Sequence, residues 1–180
     1  MTVLSKDLRK ILMLRNLEEQ MLNKLAEITQ LLKCNEGEIL YEKGENAERF
    51  YMLKIGKVLL EVEINGTTVF AVSSIKPGYS FGWSALLPDE TYPYSAVCSE
   101  FSEVMVISRE ALMNLLNQDC AMGFVFMHNM VKILKERLDR RTRQILKILT
   151  QHPEFERFLQ GREISMYLFK SASGGLPQGN

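Results

Sequence analysis

The chain has no excess of charge of either sign, with 22 Lys and Arg set against 22 Asp and Glu in 180 residues. That balance argues against a strongly basic surface of the kind that tracks nucleic-acid phosphates. Histidine is nearly absent. His128 lies inside a long helical stretch and His152 sits beside Pro153, and both read as structural. The cysteines Cys34, Cys98 and Cys120 are odd in number, far apart and not in C-x-x-C spacing. This argues against a disulfide scaffold or a zinc site and for reduced thiols in a cytoplasmic protein. No apolar run is long enough to span a bilayer, and residues 1–15 mix charge with apolar side chains from the start, unlike a secretory leader. Ser84 follows Gly82-Trp83 outside any G-x-S-x-G frame, with no histidine near in sequence. Asp89-Glu90 reads as a solvated turn. No enzyme activity is expected from such a set.

What is present is apolar content of 46%, enough for one domain with a real core and one or two appendages. Residues 1–27 read as N-terminal helices. Leu4, Leu8, Ile11 and Leu12 recur at helical spacing, and Leu17, Met21, Leu22 and Leu25 follow Asn16, a fair N-cap. Two short helices and one kinked helix both fit. From residue 28 to 108 the period changes to that of strands. Leu31–Cys34 and Glu38–Tyr41 are short strand-like runs, and Arg49–Lys54 and Lys57–Ile64 flank Ile55-Gly56 as a hairpin signal. Asn65-Gly66 is the strongest hairpin signal in the chain, because both residues accept positive φ. Thr67–Ile75 is β-branched and apolar, and the pair Ser95–Ser99 and Glu103–Ser108 closes the series. About eight strands with turns every eight to twelve residues or so predict an all-β sandwich or barrel, flanked here by helices.

Residues 109–151 return to helix. Arg109–Asn117 forms a short one, and Asp119 is placed to cap the next, which runs from Cys120 to Gln151. Phe124, Val131, Leu138 and Ile145 form one heptad series, and Met127, Leu134, Arg141 and Ile148 form the other. This is the pattern of a seam that pairs with another helix. The same stripe could instead pack on its own domain. A homodimer is the favoured reading, since Met130 and Ile133 offer the domain a separate apolar edge, and Arg141 would then set register within the seam. Lys132, Lys135, Arg137, Arg140, Arg141, Arg143 and Lys147 are spread around the helix and interrupted by Glu136 and Asp139, as on a solvated coiled coil. Residues 152–180 read as an extension: a helical turn near Pro153–Gln160, an ambiguous Arg162–Lys170, and a flexible Ser171–Asn180.

Residues 78–97 hold the candidate site. Pro77-Gly78 is a turn, Phe81-Gly82 leads into the short apolar run Ser84–Leu87, and Tyr92-Pro93-Tyr94 leads into a strand. A glycine turn feeding one turn of helix can aim backbone N–H groups at an anion. An ordinary loop between strands has the same local pattern.

The order of elements resembles the cyclic nucleotide-binding domain family, which includes regulatory subunits of cyclic-AMP-dependent kinase, cyclic nucleotide-gated channels and the bacterial catabolite-activator group. Gly44, Phe50-Tyr51-Met52-Leu53, Gly56 and Val58 are similar to the family's second-to-third strand signature. Ile75, Gly78, Phe81-Gly82 and Ala85-Leu86 are similar to the start of its phosphate-binding cassette. The resemblance covers about residues 15–149. It implies an eight-stranded β-roll with N-terminal helices and a long C-terminal dimerisation helix. The implied member is a divergent, stand-alone bacterial one without a DNA-binding domain, because residues 151–180 are too few for a winged helix–turn–helix.

The resemblance also implies a ligand site, with Phe81, Gly82, Trp83, Ser84, Ala85, Tyr92, Tyr94 and Ser95 as its candidate residues. The family's ligand chemistry is not intact. Its cassette glutamate, which accepts from the ribose 2′-hydroxyl, is matched by Trp83. Its phosphate-binding arginine is matched by Pro93 or Tyr94, and no Lys or Arg occurs between Lys76 and Arg109. Losing a guanidinium–phosphate contact costs about 2–3 kcal/mol, on the order of a hundredfold in affinity. Two outcomes fit. In one, the pocket is rebuilt for a flatter, less charged ligand, and a cyclic nucleotide or another small molecule acts through a regulatory dimer on a partner protein. In the other, the aromatic side chains fill the pocket and the roll is a ligand-free interaction scaffold.

Overall fold

The computed structural model of the chain describes residues 3–66 and 68–151. The N-terminal segment is α1 (Ser5–Leu8), a 3-10 turn (Leu12–Leu14) and α2 (Glu19–Glu27). Eight strands follow: β1 (Gln30–Cys34), β2 (Ile39–Tyr41), β3 (Arg49–Ile55), β4 (Val58–Ile64), β5 (Thr68–Ile75), β6 (Ser80–Phe81), β7 (Ser95–Cys98) and β8 (Ser102–Ser108). A second 3-10 turn, Trp83–Leu86, lies between β6 and β7, and α3 (Arg109–Gln118) and α4 (Cys120–Thr150) end the described chain. Two compact units are distinguished, Met1–Val131 and Lys132–Asn180. The extension expected over residues 152–180 lies outside the described residues.

The strands form two antiparallel four-stranded sheets, ordered β1-β8-β3-β6 and β2-β7-β4-β5. The chain changes sheet at every connection except β4–β5. Two sequence expectations are corrected by this pairing. Ile55-Gly56 does not close a hairpin, because β3 pairs with β6 and β8 while β4 pairs with β5 and β7. Gly56, at φ 91°, carries the chain across from one sheet to the other. Nor do β7 and β8 pair: β7 joins β2 and β4, and β8 joins β1 and β3. A turn signal reports that the chain reverses, not which sheet receives the next strand. Asn65 and Gly66, at φ 57° and 74°, do close the β4–β5 hairpin.

The central strands β3 and β8 explain where the core lies. Phe50, Tyr51, Met52 and Leu53 are buried in succession, as are Val104, Met105, Val106 and Ile107. Burial of consecutive residues means that both faces of this sheet are covered. One face looks into the roll. The other receives helical apolar side chains, as when Phe126 of α4 meets Phe50 edge-on with ring centroids 6.0 Å apart. Leu8, Leu14, Leu22, Leu25, Leu112, Leu116 and Met122 are buried in the same unit. The second sheet is different. Along β5, residues 68–71 are all exposed, with Val69 at 61% and Phe70 at 55%.

Helix ends follow capping chemistry in part. Ser108 Oγ accepts from the Ala111 N–H at 3.2 Å and starts α3. Asp119 Oδ1 accepts from the Met122 N–H at 3.0 Å, as expected of a residue capping α4. Asn16 does not cap α2. The helix begins two residues later, after Glu18, which makes no side-chain cap bond.

Burial separates the three thiols. Cys34 and Cys98 are buried and Cys120 is exposed. Burial, with Cys98 and Glu38 nearby, pushes the Cys34 thiol up to about 11, and burial also raises Cys98. The thiolate is the reactive form. Ellman's reagent at pH 8 is therefore expected to modify only Cys120 quickly, with Cys34 and Cys98 reacting after denaturation. Rapid reaction of all three in the native protein would contradict this packing.

Candidate functional site

Gly82 fixes the cassette. It has left-handed geometry (φ 68°, ψ 35°) and immediately precedes the 3-10 turn Trp83–Leu86. A Cβ placed there would lie 2.8 Å from Tyr51 Cδ2 and 3.1 Å from the Arg49 carbonyl oxygen, so this backbone packs against β3 with no room for a side chain. The turn is held internally: the Ala85 N–H donates to the Gly82 carbonyl at 3.2 Å and the Leu87 N–H to the Ser84 carbonyl at 3.0 Å. Ala85's amide is therefore engaged within the turn. Ala85 and Leu86 are buried, while Trp83 and Ser84 are half-buried.

An aromatic block sits behind the cassette. Tyr92 stacks on Tyr41 with centroids 3.7 Å apart, and Tyr51 stacks on Phe81 at 5.2 Å. Tyr41 is 5.2 Å from Tyr51, which links the two pairs. All four rings are buried. The Tyr92 hydroxyl donates to the Arg49 carbonyl at 2.8 Å and accepts from the Arg49 N–H at 3.0 Å. The Tyr51 hydroxyl donates to the Leu40 carbonyl at 3.4 Å. Burial, with the other phenols close by, raises the Tyr41 hydroxyl far above its usual range; burial also raises Tyr51 and Tyr92, so all three phenols stay neutral. Of the predicted site residues, Phe81 and Tyr92 thus belong to the wall. Ser95 Oγ accepts from the Lys43 N–H at 3.0 Å and holds the turn after β2. Among the described residues no buried side-chain nitrogen or oxygen lacks a partner.

Strand register places the remaining residues. Ala96 of β7 is opposite Leu60 and Tyr41, and Cys98 is opposite Val58. Ala96, Cys98, Tyr41 and Val58 are all buried, so this is the inward face of the second sheet. Side chains alternate along a strand. Val62 shares the inward face with Leu60, and its register partner is Phe70. The pairing of β4 with β7 ends at Glu61 and Ser95, and Tyr94 lies in the bend just before β7. Val62 and Phe70 therefore sit side by side on β4 and β5. Tyr94 and Val62 are half-buried and Phe70 is 55% exposed. These three side chains are apolar apart from one phenol, and they are more open than the aromatic block. Sequence reading missed Val62 and Phe70, and also Tyr41 and Tyr51 as parts of the wall. Their signal was strand alternation, which needs the pairing partner before it names a face.

The chain's cassette and roll have known counterparts. Residues 31–119 match the model of the cyclic nucleotide-binding domain. These residues belong to the cyclic nucleotide-binding domain family. The chain is 26% identical over 106 residues to the cAMP-dependent protein kinase regulatory subunit of Dictyostelium discoideum, a match that takes in 57% of this chain and 32% of that protein. It thus spans about a third of that relative's length. A cyclic nucleotide-binding domain from Methylobacillus flagellatus superposes with a TM-score of 0.70 at 19% identity, covering 79% of this chain and 84% of that one. The catabolite activator protein of Thermus thermophilus gives 0.64 at 23% identity, covering 77% and 62%. The regulatory domain of Toxoplasma gondii PKA, solved with cAMP, gives 0.56 at 22%, covering 62% and 42%. Within this roll, Trp83 and Tyr94 are both half-buried rather than in the core.

The long helix carries the second set of predicted residues. In the first unit Phe124 is 73% and Val131 59% exposed, while Met127 is half-buried. In the second, Leu134, Leu138, Arg141, Ile145 and Ile148 are exposed, with Leu138 at 67%. Met130 and Ile133 are half-buried. No helix among the described residues is long and apolar enough to cross a membrane.

Proposed function

We propose that this domain is a regulatory sensor that takes a flat small molecule of low negative charge in its roll and signals through a dimer formed by α4. The carrying observation is the partly open pair Val62 and Phe70 on the second sheet, together with half-buried Trp83 and Tyr94 and a cassette whose Gly82 is left-handed. Such a surface offers aromatic and branched faces and one hydroxyl to a ligand. Trp83 and Ser84, half-buried on the cassette, would complete the site. The ligand class is a purine-like ring system or a nucleoside-like molecule, for which a cyclic phosphate contributes little. Trp83, the only tryptophan, reports occupancy directly by its fluorescence. A panel of cyclic AMP, cyclic GMP, cyclic dinucleotides and uncharged nucleosides, followed by Trp83 emission and melting temperature, tests this reading.

The aromatic block favours a second reading. Its rings are stacked, buried and hydrogen-bonded among themselves and to backbone, as in a filled core. If no member of the panel moves Trp83 emission or the melting temperature, the roll is a scaffold that presents its helices to a protein partner.

Dimerisation has its own test. Exposed apolar side chains at heptad spacing, with Lys135 and Asp139 paired at 2.7 Å on the flank, are the features of a coiled-coil seam. Leu138→Lys is expected to convert a dimer to a monomer at micromolar concentration in sedimentation, with the roll still folded. A wild-type monomer at that concentration, or a dimer unaffected by the substitution, would overturn the seam.

A further inference from the structure

We infer that Met13 and Asn129 are positioning residues for the cassette tryptophan, linking Trp83 to α4 through a chain of hydrogen bonds. The inference deepens the sensor reading, but its test needs no ligand.

The chain of contacts is short and lies within the first unit. The indole Nε1–H of Trp83 donates to Ser80 Oγ at 3.0 Å. The Ser80 hydroxyl donates to the Met13 thioether sulfur at 3.2 Å. The Met13 carbonyl accepts from Asn129 Nδ2 on α4 at 2.8 Å. Ser80 is 3% and Met13 1% exposed, so the bond between them is shielded from water, while the bonds to Trp83 and Asn129 at either end are part-buried. Low local dielectric strengthens a bond that is made and raises the cost of one that is lost.

Each component has a reason to be where it is. Met13 lies in the 3-10 turn Leu12–Leu14, and that turn is itself fastened to the start of the cassette: the Leu12 N–H donates to the Gly78 carbonyl at 2.8 Å. Gly78 in turn donates its N–H to the Leu53 carbonyl of β3 at 2.8 Å. The turn therefore touches the cassette at two points, Gly78 and Ser80, and touches α4 at Asn129. A thioether is a weak acceptor. Its bond to Ser80 orients the hydroxyl so that its oxygen faces the indole. Leucine at position 13 would keep most of the volume and remove only that acceptor. A ligand that rotates Trp83 breaks or remakes the first bond in the chain, and the change is carried to α4 through the turn. Conversely, a shift of α4 at Asn129 changes the environment of Trp83.

The test uses the full chain without ligand and reads Trp83 emission and acrylamide quenching, with far-UV circular dichroism to confirm folding. Asn129→Asp keeps the side-chain shape and replaces the amide donor with an oxygen. Met13→Leu removes the sulfur acceptor and retains the backbone carbonyl. Each is expected to red-shift Trp83 emission and increase its quenching. The double variant is expected to show less than the sum of the two, because both act on one path. His128→Ala, next to Asn129 but exposed, is expected to leave Trp83 unchanged. A merely structural role for Asn129 would lower the melting temperature without moving the Trp83 signal, and that result would overturn the inference. So would a strictly additive double variant. Should Asn129→Asp fail to fold, Met13→Leu decides alone: an unchanged Trp83 spectrum rejects the relay.

Discussion

Tyr94→Arg is expected to raise affinity for cyclic AMP by on the order of a hundredfold. Tyr94 is half-buried in the bend that leads into β7, where Ala96 and Cys98 face inward. It is also the position, with Pro93 as the alternative, at which the family pattern has arginine. A guanidinium there would meet a cyclic phosphate with two parallel charge-assisted bonds, worth about 2–3 kcal/mol. At about 1.4 kcal/mol per decade this is the hundredfold expected. Without ligand the new charge replaces a half-buried side chain, so the variant should melt below wild type. With cyclic AMP it should recover more than wild type does. The titration can be read by Trp83, which this substitution leaves in place. An affinity for cyclic AMP that does not change would mean that Tyr94 does not face the ligand, and the pair on β4 and β5 would lose its meaning as a site.

The second large effect is on stability. Gly56→Ala is expected to cost about 2–5 kcal/mol, from a positive-φ penalty of about 1–2 and an overpacking cost of about 1–3 kcal/mol. Gly56 has φ 91°, and a Cβ there would lie 2.3 Å from Ser102 Oγ, 2.4 Å from the Phe101 carbonyl oxygen and 2.7 Å from Ser102 Cα. Two of those three atoms are backbone and cannot rotate away. Ser102 is fully buried and its hydroxyl donates to the Glu100 carbonyl at 2.9 Å, so the third is fixed as well. For a chain of this size the cost corresponds to a fall in melting temperature of about 4–20 °C. Gly44 supplies the control. It has φ 89°, but a Cβ there would meet no atom within 4 Å, so Gly44→Ala should carry only the backbone penalty of about 1–2 kcal/mol. Equal effects at the two positions would show that the crossover is looser than these contacts require.

These two sites also show what the sequence could and could not say. Gly56 was visible as a turn, and the β-branched runs on either side were visible as strands. Its crossover role was not, because a hairpin and a sheet change begin with the same reversal. Asn65-Gly66 could be read fully, since its two left-handed residues specify a tight turn that only a hairpin uses. β6 was missed as a strand: Ser80 and Phe81 are too few to show a period, and their pairing with Met52 and Tyr51 is long-range. In the cassette, Gly82 and the aromatic substitutions were legible, because they are single-residue departures from a strong pattern. That Phe81 and Tyr92 face a stacked block while Tyr94 is left half-buried was not, because it depends on Tyr41 and Tyr51 from other strands. The link from Trp83 to Asn129 was the least legible part. Met13 and Asn129 are 116 positions apart, and an apolar residue offering its backbone carbonyl leaves no signature in a sequence.

The most direct test of the central claim compares cyclic AMP with adenosine by following Trp83 fluorescence in the wild-type protein under identical conditions. Trp83, Tyr94, Val62 and Phe70 carry no cation to reward a phosphate, so the nucleoside is expected to bind at least as tightly as the cyclic nucleotide. Saturable binding of cyclic AMP at micromolar concentration, with adenosine much weaker, would contradict the claim. It would place a phosphate-binding group in a cassette that contains no lysine or arginine between Lys76 and Arg109.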